Sequence, residues 1–392
     1  MTNEARLDRM RRAMQKDDLD ALVLMLPENV LLLSGFWPMI GATVFVFPVE
    51  GTPHCIIPEC YEREASSSLW TTQTSYYRYG LLGAPAPASA TRGILSGLAQ
   101  GKSWTRIGFE GSFEVVAPSW NTAELLVPTA QTRELLRTAF DGCTLVDASA
   151  LLQSQRLTKT PYEIAKLRTA SEVSSIGLES FDRLVKVGVS GVELAAAVER
   201  DVMAVGTGRD GACRVRAFAQ VAVGPEETAV GYRPNEVSTT RRLKSGDVAL
   251  LELGVVVDGF WADRTRVRAA GQPTDEQLKI FNVVQAAQEA AVQEIGPGVR
   301  TAQVDKAARS VIREAGYAEW FPHVTGHGLG FRYHESSPTL SPDSSETLEE
   351  GMLTSVEPGI YRMPHGGFRI EDDVLVTRDG AEVLAPFPKN LV

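Results

Sequence analysis

Apolar residues first recur at helical spacing (Leu7, Met10, Met14). They then run together as Asp20-Ala21-Leu22-Val23-Leu24-Met25-Leu26, a short strand that Pro27-Glu28-Asn29 breaks. Further apolar runs at 43–47, 54–57 and 106–109 are bounded by Gly or Pro, and each predicts a strand. Helix and strand signals alternate, so residues 1–155 read as an α/β domain. Within it, the small residues and prolines of 82–92 predict a surface loop.

From Thr160 the pattern changes. Thr160-Pro161-Tyr162-Glu163 offers an N-cap hydroxyl, Pro at the first helical position and Glu three residues after the cap. Ser190-Gly191-Val192-Glu193 and Thr274-Asp275-Glu276-Gln277 repeat that logic. β-rich stretches with tight turns follow the helices, so residues 156–392 read as a second, α+β domain. A faint repeat runs through it: Gly188-Val189 through Gly206 aligns with Gly298-Val299 through Gly316 at an offset of 110, with Ala197 matching Ala307.

Acids interrupt the apolar strands of this second part. The run from Val248 to Val257 contains one, Glu252; Asp258-Gly259 is a hairpin turn, and Phe260-Trp261-Ala262-Asp263-Arg264-Thr265 returns. A two-residue turn sets Glu252 opposite Thr265, with Asp263 its diagonal neighbour on the same face, roughly 7–8 Å away at the backbone. A carboxylate in a buried strand is costly unless paired or metal-bound; an edge strand would instead leave Glu252 in solvent. Glu357 and Glu371 follow Glu252 and Asp263 by 105 and 108 residues. The repeat therefore predicts two carboxylates from each copy around a pseudo-twofold axis.

Three of the five histidines (His323, His327, His334) fall within twelve residues. Singly, each reads as a hydrogen-bonded core histidine; together, among glycines that permit close approach to a ligand, they favour a site. One imidazole and four carboxylates form a hard, oxygen-rich set suited to two divalent ions such as Mn, Fe, Co or Zn. Paired ions lower the pKa of a bridging water and clamp a tetrahedral intermediate. Charge narrows the field: 39 basic against 49 acidic residues, net −10, argues against a nucleic-acid partner. No apolar run reaches the roughly 18 residues of a membrane span, and the start lacks a signal peptide's apolar core. The four scattered cysteines make no metal-finger pattern, and reduced thiols are the default. A cytoplasmic enzyme or binding protein is the expectation.

Gly326-His327-Gly328, His334-Glu335, Glu357-Pro358-Gly359 and Arg369-Ile370-Glu371-Asp372 carry a resemblance that covers nearly the whole chain. It resembles the pita-bread metallopeptidases, Xaa-Pro dipeptidase (prolidase) and aminopeptidase P, with creatinase and ectoine hydrolase as relatives. The resemblance implies an α/β creatinase-like N-terminal domain and an α+β pita-bread catalytic domain with an internal pseudo-twofold duplication. It implies that Glu252, Asp263, His327, Glu357 and Glu371 occupy five metal-ligand positions holding two divalent ions. Glu357 would also be the base for the attacking water, and His334 a proton shuttle that protonates the leaving nitrogen. Arg369 and Tyr361 would support the metal-bound acids, and His323 joins the candidate catalytic set. The substrate would be a dipeptide or other small molecule whose amide bond a metal-bridging hydroxide attacks, in a homodimer.

Two departures stand out. The peptidases place Asp where this chain has Glu252. The extra methylene moves the carboxylate oxygens by about a bond length, whereas metal distances tolerate only about ±0.2 Å; one ion, or none, becomes an alternative to two. The segment Gly224-Pro225-Glu226-Glu227-Thr228-Ala229-Val230-Gly231-Tyr232-Arg233 also lacks the His that relatives carry there, so Tyr232 or Arg233 substitutes or the substrate differs. Two other readings therefore stay open. One is a creatinase- or ectoine-hydrolase-like hydrolase of a small non-peptide C–N bond, with Glu252 as a metal-free nucleophile. The other is a pita-bread binding protein without catalysis.

Overall fold

The computed structural model describes residues 2–70, 72–112, 129–233 and 237–392. The chain divides into two compact units, Met1–Arg156 and Leu157–Val392. No helix among the described residues is long and apolar enough to cross a membrane.

In the first unit, β1 (Ala21–Leu24), β2 (Val44–Pro48), β3 (His54–Pro58), β4 (Gln73–Tyr77), β5 (Arg106–Phe109) and β6 (Thr144–Asp147) form one mixed sheet, ordered β4-β3-β2-β1-β5-β6. Its helices are α1 (Glu4–Lys16), α2 (Pro27–Ser34), α3 (Glu62–Ser68), α4 (Pro87–Ala99), α5 (Ala130–Ala139) and α6 (Ser149–Leu157). Val23, Val46, Ile56 and Ile107 from the sheet pack with Leu95 of α4 and Leu136 of α5 in one apolar core. Pro27 does end the first strand, and it also opens α2 at a first-turn position, where a missing N–H costs nothing. Glu110, just past β5, accepts hydrogen bonds from the Leu26 N–H (3.0 Å) and from Asn29 Nδ2 (2.9 Å), fixing the start of α2. The expectation of a loop over 82–92 needs correction: α4 begins at Pro87. The small residues that suggested a loop include the good helix former Ala, and Pro87 again takes a first-turn position.

In the second unit, Thr160, Ser190 and Thr274 each close a capping box with the residue three positions on. They start α7 (Pro161–Leu184), α8 (Gly191–Gly206) and α10 (Asp275–Glu294); α9 (Gly224–Thr228) is one short turn, and α11 (Thr301–Glu314) follows α10. The ends of α7 and α10, and the starts of α8 and α11, are both 110 residues apart, so the helix pair is duplicated. Antiparallel β7 (Val215–Val223), β8 (Asp247–Val257) and β9 (Phe260–Ala270) accompany the first pair. The second is accompanied by β10 (Gly326–Gly328), β11 (Glu335–Leu340), β12 (Leu353–Val356), β13 (Gly359–Arg362), β14 (Gly366–Arg369), β15 (Asp372–Thr377) and β16 (Gly380–Val383). Five of these make a sheet ordered β11-β10-β12-β15-β16, and β13 and β14 form a hairpin.

Strand alternation places the chemistry. On β8, Leu251 and Leu253 pack toward α7 and α8, whereas Val248 and Leu250 join the core built on α10 and α11. Glu252 has the parity of Val248 and Leu250, so it points toward the second repeat. The turn at Asp258-Gly259 has positive φ at both residues, sets Glu252 opposite Thr265, and puts Asp263 opposite Gly254. Asp263 and Thr265 share the parity of Val267, which also faces the second repeat.

Candidate metal centre

Each acid lies where a strand meets the junction of the repeats. Glu252 and Asp263 are inside β8 and β9; Glu357 directly follows β12, and Glu371 sits between β14 and β15. His327 is the middle residue of the three-residue strand β10. Its Nε2 is 3.3 Å from Glu357 Oε1 and 3.6 Å from Asp263 Oδ2. Ligand atoms of His327, Glu357 and Glu371 lie within 4.8 Å of one another, and so do those of Asp263, His327 and His334. The flanking glycines also have a packing role. A Cβ at Gly326 or Gly328 would sit 2.0 Å from the backbone oxygen of Ser355 or Ser337, so they let β10 lie tightly between its neighbours.

Glu252 stands differently. Its Oε2 accepts Arg369 Nη2 at 2.6 Å, and its Oε1 accepts Gln220 Nε2 at 3.2 Å and the Tyr333 hydroxyl at 3.0 Å. Neither three-residue ligand cluster among the described residues includes it. Arg369, buried, is the hub of the supporting layer: Nε donates to Thr265 Oγ1 (3.1 Å) and Nη1 to Tyr361 Oη (2.9 Å). Thr265 Oγ1 in turn donates to Glu371 Oε2 at 2.6 Å.

His323 is not brought to the carboxylates. Its Nδ1 faces the Val324 carbonyl, which can only accept, so Nδ1 carries the proton and Nε2 receives the Tyr361 hydroxyl at 2.9 Å. His323 thus ends a relay that runs from Arg369 through Tyr361, and burial pulls its pKa down to about 3. Tyr232 packs edge-on against Tyr361 at 5.0 Å, with Arg233 over its ring at 5.3 Å. His334 stacks on His327 with ring centroids 4.2 Å apart, and its Nε2 is 4.0 Å from Asp263 Oδ2. Burial brings its pKa down to about 2, so it is a neutral imidazole.

Burial, reinforced by mutual repulsion, pushes Asp263 and Glu371 well above the usual carboxylate range and raises Glu357 from 4.5 to about 7. Two features fit a divalent ion among these groups. Glu371 Oε1 is buried without a hydrogen-bond partner. His327 Nδ1 is held by the Gly328 carbonyl (2.9 Å), which leaves the Nε2 lone pair facing two carboxylate oxygens. A lone pair against ionised carboxylates is repulsive unless a proton or a cation lies between them.

A pH dependence of the metal-free protein follows. Below about pH 4.5 both folded and unfolded chains hold these protons, so no penalty exists. Between pH 4.5 and about 7 the unfolded chain ionises first, and folding stability falls as pH rises. The buried neutral His323 and His334 act in the opposite sense up to about pH 6.5, so the comparison is made above it: thermal melts of chelated protein should show a lower midpoint at pH 7.5 than at pH 6.5, with the loss recovered on adding Mn(II). A chelated protein whose midpoint rises over that interval would contradict the electrostatic picture.

Sequence reasoning passed over Tyr333, Gln220 and Ser355, whose Oγ donates to Glu357 Oε1 at 3.2 Å. Thr265 was legible, as the predicted partner of Glu252 across the hairpin.

Comparison with known proteins places this geometry. Residues 165–378 match the family model of metallopeptidase family M24, and residues 6–158 match the creatinase/prolidase N-terminal domain. YkvY of Bacillus subtilis, provisionally designated a dipeptidase, is 37% identical over 259 residues, covering 66% of this chain and 69% of its own. The Xaa-Pro dipeptidase from Bacillus anthracis has a TM-score of 0.80 at 28% identity, covering 99% of both chains. The prolidase from Pyrococcus horikoshii gives 0.79 at 25% identity, covering 99% of this chain and 100% of that one. The expected architecture, a creatinase-like α/β unit followed by a duplicated α+β pita-bread unit, is therefore the one observed.

Proposed function

We propose, from the premise that the chain belongs to metallopeptidase family M24 and is a metallohydrolase, that it hydrolyses the amide bond of Xaa-Pro dipeptides. One observation carries the reading: His327 Nε2 lies 3.3 Å from Glu357 Oε1 and 3.6 Å from Asp263 Oδ2, its ring clusters with the carboxylates of Glu357 and Glu371, and Glu371 Oε1 is buried without a partner. This oxygen-rich set with one imidazole suits Mn, Fe, Co or Zn. A bound divalent ion supplies Lewis acidity toward the scissile carbonyl and makes water a nucleophile near neutral pH.

The chain's own residues do the rest. Glu357 Oε1 is tied to Ser355, which leaves Oε2 to take a proton from the attacking water. A carboxylate held beside that water can both receive the proton and return it. His334 enters as neutral imidazole and contributes a hydrogen bond. The proton that Glu357 takes from the water is then returned to the leaving nitrogen, with His334, the proton shuttle that the resemblance implies, 4.0 Å from Asp263 Oδ2. The relay from Arg369 through Tyr361 to His323 keeps the guanidinium aimed at Glu252. Against Glu252 as a metal-free nucleophile, both its oxygens already accept hydrogen bonds, three in all, which lowers their electron density. Homodimerisation and a cytoplasmic location remain part of the proposal, the first checked by light scattering of the purified protein.

The test is turnover of an Xaa-Pro dipeptide panel with and without chelator. Cleavage should vanish on chelation and return with a divalent ion. A cyclic or guanidino substrate whose hydrolysis survives chelation but disappears in Glu252→Gln would replace this reading with the nucleophile one.

A further inference from the structure

The two repeats offer their acids unequally. In the second, Glu371 Oε1 is buried and unpartnered, and Glu357 Oε2 has Arg369 Nε no nearer than 3.9 Å. In the first, Glu252 has spent three of its four lone-pair positions on Arg369, Gln220 and Tyr333. Asp263 divides its oxygens: Oδ1 lies 3.1 Å from the Tyr333 hydroxyl, whose one proton it shares with Glu252 Oε1, and Oδ2 turns to His327. One phenol hydroxyl therefore lies between Glu252 Oε1 and Asp263 Oδ1, about 3 Å from each. An ion reaching both oxygens needs contacts of roughly 2.0–2.2 Å. It would have to take the hydroxyl's place or bind the phenol itself.

The position of Tyr333 is built. Its ring lies against β8 at Gly254, where a Cβ would come within 2.8 Å of Tyr333 Cε2 and 3.0 Å of Cζ. Trp261 packs on the ring at 5.5 Å and His334 at 4.4 Å. Gly254 is also the cross-strand partner of Asp263, so the residue that admits the ring is the one directly opposite the acid. The charge a second ion would bring is already present: the Arg369 guanidinium, 3% exposed, is 2.6 Å from Glu252 Oε2.

We propose that the Tyr333 hydroxyl and the Arg369 guanidinium occupy the place of a second metal ion between Glu252 and Asp263. The chain then holds one divalent ion, on Asp263 Oδ2, His327, Glu357 and Glu371. Glu252 is a positioning residue that anchors Tyr333 and Arg369 and does not bind metal. This rests on the metal-dependent reading above and sets the number of ions, which that reading leaves open.

The experiment counts ions and needs no substrate. The full-length protein is stripped with chelator, reloaded with Mn(II), desalted, and assayed by elemental analysis and electron paramagnetic resonance. Wild type should carry about one Mn(II) per chain, with the spectrum of an isolated ion. Tyr333→Ala, which clears the ring, should rise toward two per chain and show an exchange-coupled pair. Gly254→Ala, which forces the ring off β8, should move the count in the same direction with the hydroxyl still in the chain. Circular dichroism identifies any variant that has not folded, and the wild-type count stands without the variants. Two ions in wild type would overturn the proposal while leaving metal dependence intact. So would a count in folded Tyr333→Ala and Gly254→Ala equal to that of wild type. A charge-transfer band on Fe(III) loading that is lost in Tyr333→Phe would also overturn it, by making the phenol a ligand. No bound ion under any loading would bring down the metal-dependent reading itself.

Discussion

Glu357→Gln should lower kcat on an Xaa-Pro dipeptide by about 10³-fold, within the range that a positioned general base contributes. The amide keeps the carboxylate's shape and can still accept the Ser355 hydroxyl at the atom that replaces Oε1. What it loses is the capacity to take a proton at Oε2. It also removes one negative charge from a cluster in which Glu357 is the largest electrostatic contributor to the raised pKa of Glu371. The metal-free variant should therefore be at least as stable as the metal-free parent, because less repulsion is buried. Both effects are read from one preparation, with kcat measured at saturating divalent ion and thermal melts in chelator. A fall in kcat of less than tenfold would remove Glu357 from the role of base, whatever the stability does.

Arg369→Met should destabilise the second unit by about 3–5 kcal/mol, the cost of breaking a buried ion pair from one side. Arg369 is buried and its guanidinium serves Glu252, Thr265 and Tyr361 at once. Methionine fills much of the volume but leaves Glu252 beside Asp263, Glu357 and Glu371 with no countercharge. If the loss is electrostatic, Glu252→Gln placed on the same chain should recover a large part of it, since the two sites are in direct contact and their effects are not additive. Urea unfolding in chelator measures the single and double variants. A cost below about 1 kcal/mol, or a double variant no better than the sum of the singles, would show that Arg369 is not the electrostatic hub.

Most of what local chemistry controls was legible in the sequence. Thr160, Ser190 and Thr274 announce their helices because a cap and its partner are three residues apart. The facing of Glu252 and Thr265 follows from the two-residue turn at Asp258-Gly259, since register propagates along an antiparallel ladder. The duplication showed in its glycines and in the spacing of its acids. Small-residue composition misled at 87–92, where Ala and Pro suit a helix start as well as a loop. Gly326 and Gly328 carry a strand-packing requirement that the sequence did not reveal, because close approach to a ligand and to a neighbouring strand demand the same absence of Cβ. Tyr333 was invisible for another reason. Nothing near it in sequence indicates that its hydroxyl reaches acids 81 and 70 residues earlier, across the junction of two repeats. His323 was grouped with His327 by proximity along the chain, yet its ring is hydrogen-bonded to the Tyr361 hydroxyl.

Everything about catalysis returns to whether three carboxylates and one imidazole bind an ion where their lone pairs converge. Crystals soaked in Mn(II) and measured at the manganese absorption edge address that directly. The account predicts an anomalous peak within bonding distance of His327 Nε2, Asp263 Oδ2, Glu357 and Glu371 Oε1, with Glu252 still paired to Arg369. A fully soaked crystal with no peak at that convergence, or with its only peak elsewhere on the molecule, would contradict it.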